Sequence, residues 1–228
     1  MKKLLSSLFA LLMMGVATTA NAQAAFAEST NGDFRIGLQL GFNMPSFAEN
    51  QYGLTLGYNM GATALLNTES FIPDSYLRGS VLYSRKGASA GTENIYKGDK
   101  VDLTMKDATY YLHYTEVPIR FGYAYEMDSE LSLLVETGPY FGLRWTSSLR
   151  ADEYSNAAKP DQKTFNGDMK DLYKDLRRFD WGWGIHAGVL VAGKYQIMAG
   201  YDWGLCDVVP DVTGGNRNLS INLAVYFD

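Results

Sequence analysis

The sequence predicts an all-β fold: an antiparallel up-and-down transmembrane β-barrel of eight strands, with ten left open and a short amphipathic helix in a long external loop. Three observations predict it. Apolar residues alternate with glycine or polar residues over stretches as long as the roughly 9 to 11 residues that a barrel strand needs to cross a bilayer. Aromatic residues stand at both ends of the apolar faces, as in membrane-barrel girdles. The connections alternate between short and long.

The clearest element is a hairpin over residues 179–205. One parity of its first strand is apolar, whereas the other carries Asp180, Gly184 and His186. After the tight turn 192–194, the second strand repeats the pattern, with Asp202 on the polar side. A soluble sheet has little use for strands this long with an opposite face this rich in glycine. The hairpin therefore predicts a lipid-facing side and a lumen side.

The N-terminus has the form of a secretory signal peptide. Lys2 and Lys3 precede an apolar run over residues 4–16, and an A-x-A cleavage site ends at Ala22. The alternative, a membrane anchor, would need about 20 apolar residues. We expect a signal peptide over residues 1–22 and one outer-membrane barrel domain over residues 23–228.

Six further alternating runs bring the strand count to eight: residues 33–42, 52–65, 76–85, 109–125, 131–145 and 218–227. Together they give a predicted lipid face that includes Leu54, Leu56, Leu133, Phe141, Ile185 and Ile221. Tyr52 shares the parity of Leu54 and Leu56 and is expected on the same face.

The fourth run changes phase along its length. Tyr110, Leu112 and Tyr114 share one parity, whereas the apolar residues from 117 to 125 share the other. We expect a β-bulge near Glu116 and Pro118, because a bulge re-aims a strand and proline fits where a ladder donor is dispensable.

The connections sort into two classes. Residues 66–75, 126–130 and 192–194 form the shorter set, and residues 43–51, 86–108, 146–178 and 206–217 form the longer set. Outer-membrane barrels have short periplasmic turns and long external loops. Binding is therefore expected in the long loops.

Two of the long loops have patterns of their own. Apolar residues recur at helical spacing over residues 168–178, which predicts an amphipathic helix either packed over the barrel mouth or lying on the external rim. Val101, Leu103 and Met105 alternate, which leaves open a hairpin continued above the membrane and hence ten strands.

Several short segments carry a family resemblance. They are residues 114–123 (YTEVPIRFGY), 137–140 (TGPY), 180–188, 200–205 (GYDWGL) and 216–221 (NRNLSI). In these segments the chain resembles the PorT-like outer-membrane β-barrel family of Bacteroidota. The resemblance implies an outer-membrane barrel and, for most members, no defined activity, although PorT itself belongs to a secretion system. The chain departs from the usual aromatic end of such barrels, because Asp228 follows Phe227.

Charged residues on the inward parity are expected to fill the lumen as a structural network of ion pairs. They are Arg35, Arg78, Arg120, Glu136, Arg144, Asp180, His186 and Asp202. Buried charges need partners, and both signs are present. Eight strands enclose an interior that side chains can fill, so we expect no channel.

Catalysis, metals, cofactors and nucleic acid are not expected. A pair of His186 with Asp180 or Asp202 is conceivable, but no G-x-S-x-G motif accompanies it. Two histidines and one cysteine leave little for a metal site, and the net charge of −5 disfavours phosphate backbones. Expected partners are the outer-membrane bilayer, the barrel assembly machinery and a protein at the external loops.

Three functions remain open on the sequence. The first is a structural or interaction barrel that displays its loops. The second is an outer-membrane barrel enzyme acting on lipid or peptide, with a secretion-system component as a related alternative. The third is a soluble periplasmic ligand-binding barrel, whose apolar face would point inward.

Overall fold

Eight long strands form a closed antiparallel ring. The computed structural model describes residues 34–68, 72–97, 100–156, 159–173, 176–209 and 213–227, so the expected signal peptide lies outside the described residues. The ring strands are β1 (Phe34–Phe47), β3 (Gly57–Asn67), β4 (Ser75–Lys97), β5 (Lys100–Glu126), β6 (Leu131–Asn156), β8 (Phe179–Val191), β9 (Tyr195–Asp207) and β10 (Gly215–Phe227). Strand β10 pairs with β1 and β4 pairs with β5, which closes the ring. The predicted eight-strand barrel is confirmed.

Two short strands bring the total to ten without widening the ring. Strand β2 (Tyr52–Gly53) pairs with β4, and β7 (Lys159–Gly167) pairs with β6. Both lie at the end of the barrel that carries the long connections, here called the long-loop end. The opposite end, with connections at residues 68–74, 127–130 and 192–194, is the short-turn end. The turn at 192–194 is tight because Ala192 and Gly193 both have positive φ, at 51° and 64°.

The apolar face of the ring points outward. The six residues expected on the lipid face have exposed fractions between 38% for Phe141 and 71% for Leu56; the others are Leu54, Leu133, Ile185 and Ile221. Polar residues of the ring strands are buried inside, for example Asn43 on β1 and Gln196 on β9, both at 1% exposure. This arrangement is the reverse of a soluble ligand-binding barrel, in which the apolar face lines the interior.

The expected phase change in the fourth run is wrong. In β5, every even residue from Tyr110 to Arg120 is buried inside the ring, so the inward parity is continuous. What changes is the chemistry of the inward side, from polar to apolar toward the long-loop end. The bulge lies instead on β6, where the register shifts between His113 and Tyr114 and Trp145 is the extra residue. Pro118 does fall in a gap of the β4–β5 ladder, which passes from Gly79–Ile119 to Leu82–Glu116.

Strands β4, β5 and β6 extend beyond the runs read from the sequence. Residues 86–97 and 100–108, expected as a loop, continue β4 and β5 as a hairpin, in line with the alternation of Val101, Leu103 and Met105. Residues 146–156 likewise continue β6. These extensions enclose an apolar cluster at the long-loop end, here called the cap. Its buried members are Phe47, Tyr52, Ala88, Ala90, Leu103, Met105, Ala108, Tyr110, Leu112, Tyr114, Leu149, Ala151, Met169, Val208 and Val209.

The predicted amphipathic helix is shorter than its sequence pattern. It forms one turn, α1 (Met169–Leu172), and its apolar side faces the cap: Met169 is fully buried there, while Leu172, Tyr173 and Leu176 pack against the cluster. Within the described residues, no helix is both long and apolar enough to cross a membrane. Tyr52, expected outside with Leu54 and Leu56, is instead buried in the cap because the chain leaves the ladder after Gly53.

Candidate functional site

A bidentate ion pair crosses the lumen from β4 to β6. Arg78 donates from Nε to Glu136 Oε2 at 2.9 Å, and its Nη2 contacts Oε1 of the same carboxylate. Nη1 of Arg78 donates to Gln39 Oε1 at 2.9 Å, and Tyr76 donates to Glu136 Oε2 at 3.3 Å. Arg78 is 4% exposed and Glu136 is 1% exposed. The pair is therefore cut off from solvent, with both charges satisfied by partners on different strands.

A second cluster joins β5, β8 and β9. Arg120 Nη2 lies 2.5 Å from Asp202 Oδ1, and His186 Nε2 lies 3.0 Å from the same oxygen. Because a carboxylate can only accept, the proton shared in this contact is on Nε2 of His186. Arg120 also donates from Nη1 to the Gly138 carbonyl. The histidine thus has a carboxylate partner, but a guanidinium occupies the same oxygen.

A third cluster contains two residues that the sequence reading missed. Lys86 Nζ lies 2.5 Å from Glu116 Oε1 and 3.8 Å from Asp180 Oδ2, and it stands 4.1 Å from the centre of the Tyr140 ring. Asp180 Oδ2 accepts hydrogen bonds from Tyr140 Oη at 3.2 Å and from Asn216 Nδ2 at 2.9 Å. Lys86 continues the even parity of Arg78, Ser80 and Ser84. This parity alone would have placed Lys86 in the lumen, but the strand predicted from the sequence ends at residue 85.

Glycines on the lumen face make room for these side chains. A Cβ on Gly184 would come within 1.9 Å of Asp202 Oδ1, and one on Gly200 would come within 2.2 Å of the His186 ring. Both glycines sit opposite large polar groups across the β8–β9 hairpin. The glycine-rich parity seen in the sequence is therefore the space that the lumen network occupies.

Two of the eight residues expected in the network lie away from it. Arg35 is only partly buried, and its Nη1 lies 2.5 Å from the Gly193 carbonyl at the short-turn end. Arg144 is buried toward the long-loop end, where it donates to the carbonyls of Arg177 at 3.0 Å and Leu176 at 3.3 Å and to Ser147 Oγ at 3.0 Å. Arg144 therefore fastens the segment that follows α1 to the barrel wall.

An amide ladder fills the side of the lumen formed by β1, β3 and β10. Asn59 Nδ2 donates to Asn43 Oδ1 at 2.9 Å and to Asn222 Oδ1 at 2.8 Å, and Gln39 Nε2 donates to Asn59 Oδ1 at 3.3 Å. Between this ladder and the charged clusters lies a cavity of about 30 Å³. Such a space holds one or two water molecules, but neither a lipid chain nor a peptide.

The cap holds a buried carboxylate among tyrosines. Tyr173 donates to Glu93 Oε1 at 3.1 Å, the Tyr110 and Tyr173 hydroxyls are 2.9 Å apart, and the rings of Phe47, Tyr52 and Tyr110 stack edge to face. Burial raises the pKa of Glu93, and burial together with the charge of Glu93 raises the pKa of Tyr52 to about 12. Burial outweighs the hydrogen bonds from Tyr173, Tyr110 and Tyr52, which act to lower the pKa of Glu93.

The charged lumen residues form one ion pair and two clusters of three residues rather than a ligand set. Among the described residues, no group of three or more His, Cys, Asp or Glu side chains is arranged to hold a metal ion. Among the described residues, the other side chain that contacts His186 Nε2 is Arg120, at 3.5 Å, and a guanidinium is not a nucleophile. The chemistry that this arrangement supports is charge compensation inside a narrow tube.

Comparison with known proteins gives a family and several structural likenesses. A family model described as outer membrane protein beta-barrel domain matches residues 21–209. The crystal structure of Ail, the attachment invasion locus protein of Yersinia pestis, is 14% identical, with 86% of this chain and 99% of that chain covered and a TM-score of 0.39. Neisserial surface protein A (NspA) is 17% identical over 86% and 97%, with a TM-score of 0.44.

The N-terminal β-barrel domain of Pseudomonas aeruginosa OprF is 9% identical over 83% of this chain and 97% of that chain, with a TM-score of 0.32. No curated protein matches the chain. The family match covers most of the sequence, including the strands that carry the lumen clusters up to β9. The chain belongs to the family of the outer membrane protein β-barrel domain, and its location is the outer membrane.

Proposed function

We propose that this protein is a non-catalytic scaffold of the outer membrane that displays its cap and long loops at the cell surface. One observation carries the proposal: in the part of the barrel that the structure describes, the ion pairs and the amide ladder fill the lumen and the cap packs at its long-loop end. A closed tube has no path for solutes, so the surface that remains for a partner is the long-loop end. Long loops of outer-membrane barrels face outward.

The lumen geometry also supports the absence of catalysis. The carboxylate of Asp202 is shared between His186 and Arg120, and both side chains are buried. A general base has to reach a proton on a bound substrate. The adjoining cavity of about 30 Å³ is too small for lipid or peptide. A barrel enzyme would need a polar cluster at the rim of the barrel, whereas the cluster of Asp202, His186 and Arg120 is buried in the lumen.

We further propose that the chain is a PorT-like barrel of Bacteroidota and that the barrel assembly machinery inserts it. The first part is supported by the segments in β5, β9 and β10 that resemble that family, of which residues 114–123 contribute Glu116 and Arg120 to the lumen. The second is supported by the aromatic Phe227 at the end of β10, one position before the place where such barrels usually carry it, because Asp228 follows. A protein partner at the long-loop end belongs to the same proposal.

Limited proteolysis on intact cells tests the display. Trypsin should cut within residues 146–178 of the folded barrel and spare the turn at 127–130, which has no lysine or arginine and serves as a background. An engineered protease site placed in that turn provides the matched control, because it should be cut only after the outer membrane is permeabilised. Cleavage of the engineered turn in intact cells, with residues 146–178 protected, would reverse the orientation and sink the proposal.

A crosslinking experiment tests the scaffold role itself. A photoreactive amino acid at exposed Asp152, beside the cap, should give a discrete adduct with another protein in intact cells. The same amino acid at exposed Asp128, in the short-turn end, is the matched control and should not give that adduct. Adducts from the short-turn end alone would contradict a partner at the cap.

A further inference from the structure

A basic and aromatic patch lies on the outside of the barrel at the edge of the apolar band. Along β4 the outward residues run from Leu77 through Val81 and Tyr83 to Arg85, a stretch of about nine residues, which is the length a strand needs to cross the hydrocarbon. Arg85 therefore stands where the hydrocarbon ends and the headgroups begin, on the long-loop side.

The guanidinium of Arg85 is held between two tyrosine rings. Its Cζ lies 5.1 Å from the ring centre of Tyr58 on β3 and 5.1 Å from that of Tyr111 on β5. Its Nη2 donates to the Leu56 carbonyl at 2.8 Å. Among the described residues this is the one hydrogen bond of a group that has five donors. The side chain is thus fixed in place with most of its donors unused.

A second arginine shares the same ring. Cζ of Arg150 on β6 lies 5.5 Å from the ring centre of Tyr111, so two positive charges flank one tyrosine. None of the ion pairs among the described residues includes either arginine. Two outward carboxylates, Asp107 on β5 and Asp152 on β6, lie further toward the long-loop end. Two guanidiniums on one tyrosine ring, neither with an ion-pair partner among the described residues, favour an anion at that ring.

The neighbours on the bilayer side identify the source of that anion. Tyr83 packs edge to face on Trp145 with ring centres 6.1 Å apart, and its hydroxyl lies 2.5 Å from His113 Nδ1. Trp145 is 49% exposed on the outward face. Amphipathic rings of this kind sit at headgroup level. An anion bound by Arg85 and Arg150 would therefore have lipid chains directly beneath it.

We propose that Arg85 and Arg150, with Tyr58 and Tyr111, bind the phosphate group of an anionic lipid in the leaflet at the long-loop end. The tyrosine rings hold the Arg85 plane so that its terminal Nη groups can bind phosphate oxygens, whereas Nε is buried. The lipid's acyl chains lie against Tyr83, Trp145 and the apolar band. The site favours a phosphate that is attached to a lipid over free phosphate, because the bilayer borders the site on the side of Tyr83 and Trp145.

Quenching of Trp145 fluorescence tests the site. The full barrel, with Trp181, Trp183 and Trp203 changed to Phe, is reconstituted in phosphatidylcholine vesicles that contain either brominated phosphatidic acid or the same fraction of brominated phosphatidylcholine. Each arginine near a membrane surface favours an anionic lipid about fivefold. We therefore expect phosphatidic acid to be enriched about fivefold or more beside Trp145, and inorganic phosphate at millimolar concentration to leave this enrichment unchanged.

Three substitutions complete the test. Arg85→Gln should remove most of the enrichment, and Arg150→Gln, at an exposed side chain, gives a second variant less tied to folding. Arg217→Gln is the matched control, because Arg217 is an outward arginine of the long-loop end on the far side of the ring and should leave the enrichment intact. Equal quenching of Trp145 by both brominated lipids, in the protein that keeps all its arginines, would overturn the proposal. So would an equal loss in all three variants, or displacement by free phosphate.

Discussion

The ion pair between Arg78 and Glu136 gives the sharpest test of the filled lumen. Substituting Glu136 by Gln keeps the shape of the side chain and removes its charge. Arg78 then keeps its contacts to Gln39 at 2.9 Å and Ser80 at 3.2 Å but loses both bonds to a carboxylate. A positive charge is left buried in a side chain that is 4% exposed.

The cost follows from burial and not from the bonds alone. Breaking a buried ion pair from one side costs about 3 to 5 kcal/mol, because the remaining charge has no compensation. Arg78→Met should lower the free energy of unfolding by a similar amount, because it leaves the buried Glu136 without its cation. Tyr76 remains as a hydroxyl donor to Glu136 at 3.3 Å. The double substitution removes both charges and should cost little more than either single one. The coupling free energy is therefore expected to be about 3 to 5 kcal/mol.

Urea unfolding of the barrel in lipid vesicles measures these free energies, with the loss of heat-modifiable migration as an independent check of folding. Arg217→Gln, at the rim, is the control and should change the free energy of unfolding by less than about 1 kcal/mol. Additive effects of the two single substitutions would refute the reasoning, because they would mean that solvent or another group already compensates each charge.

Two further predictions concern the outer face and the cap. Ile185→Arg, at a position 52% exposed in the apolar band, should cost about 2 to 4 kcal/mol in the same unfolding assay, whereas Asp152→Arg beside the cap should be nearly neutral; equal tolerance would contradict the outward assignment. Burial raises the pKa of Glu93, so its contribution to cap stability is complete below the ordinary carboxyl pKa and is lost as the pH rises through the raised pKa. Hydrogen-exchange protection of residues 169–173 should therefore fall as the pH rises, and Glu93→Gln should flatten that trend; an opposite slope would mean that a cation, absent from the described cap, pairs with Glu93.

The parity of the strands could be predicted from the sequence because one solvent acts on each face. Lipid requires the same chemistry at every outward position, so Leu133, Ile185 and Ile221 could be assigned without knowledge of their neighbours. The partners inside could not. Arg78 and Glu136 are 58 residues apart in sequence. They meet because closure of the ring places β4 and β6 so that their inward side chains contact each other.

The cap was misread for a related reason. Tyr110, Leu112 and Tyr114 are apolar and face inward, a combination that breaks the rule linking apolar residues to lipid. Their partners come from distant segments such as α1, so the local pattern looked like a change of phase. The sequence places Lys86 in a connection because the third alternating run ends at Arg85, yet β4 continues to Lys97 as the wall of the cap. Alternation alone does not show where a strand leaves the bilayer and continues into the cap.

Conductance in planar bilayers tests the central claim most directly. Eight strands leave an interior that side chains fill, whereas aqueous channels need about 16 strands or more. With the ion pairs and amide ladder in place below a closed cap, purified protein should give no stable open-channel current, and Gly184→Ala, which crowds Asp202 further, should not change that. A steady conductance of porin size would contradict the filled lumen and, with it, the proposal that the protein acts through its long-loop end.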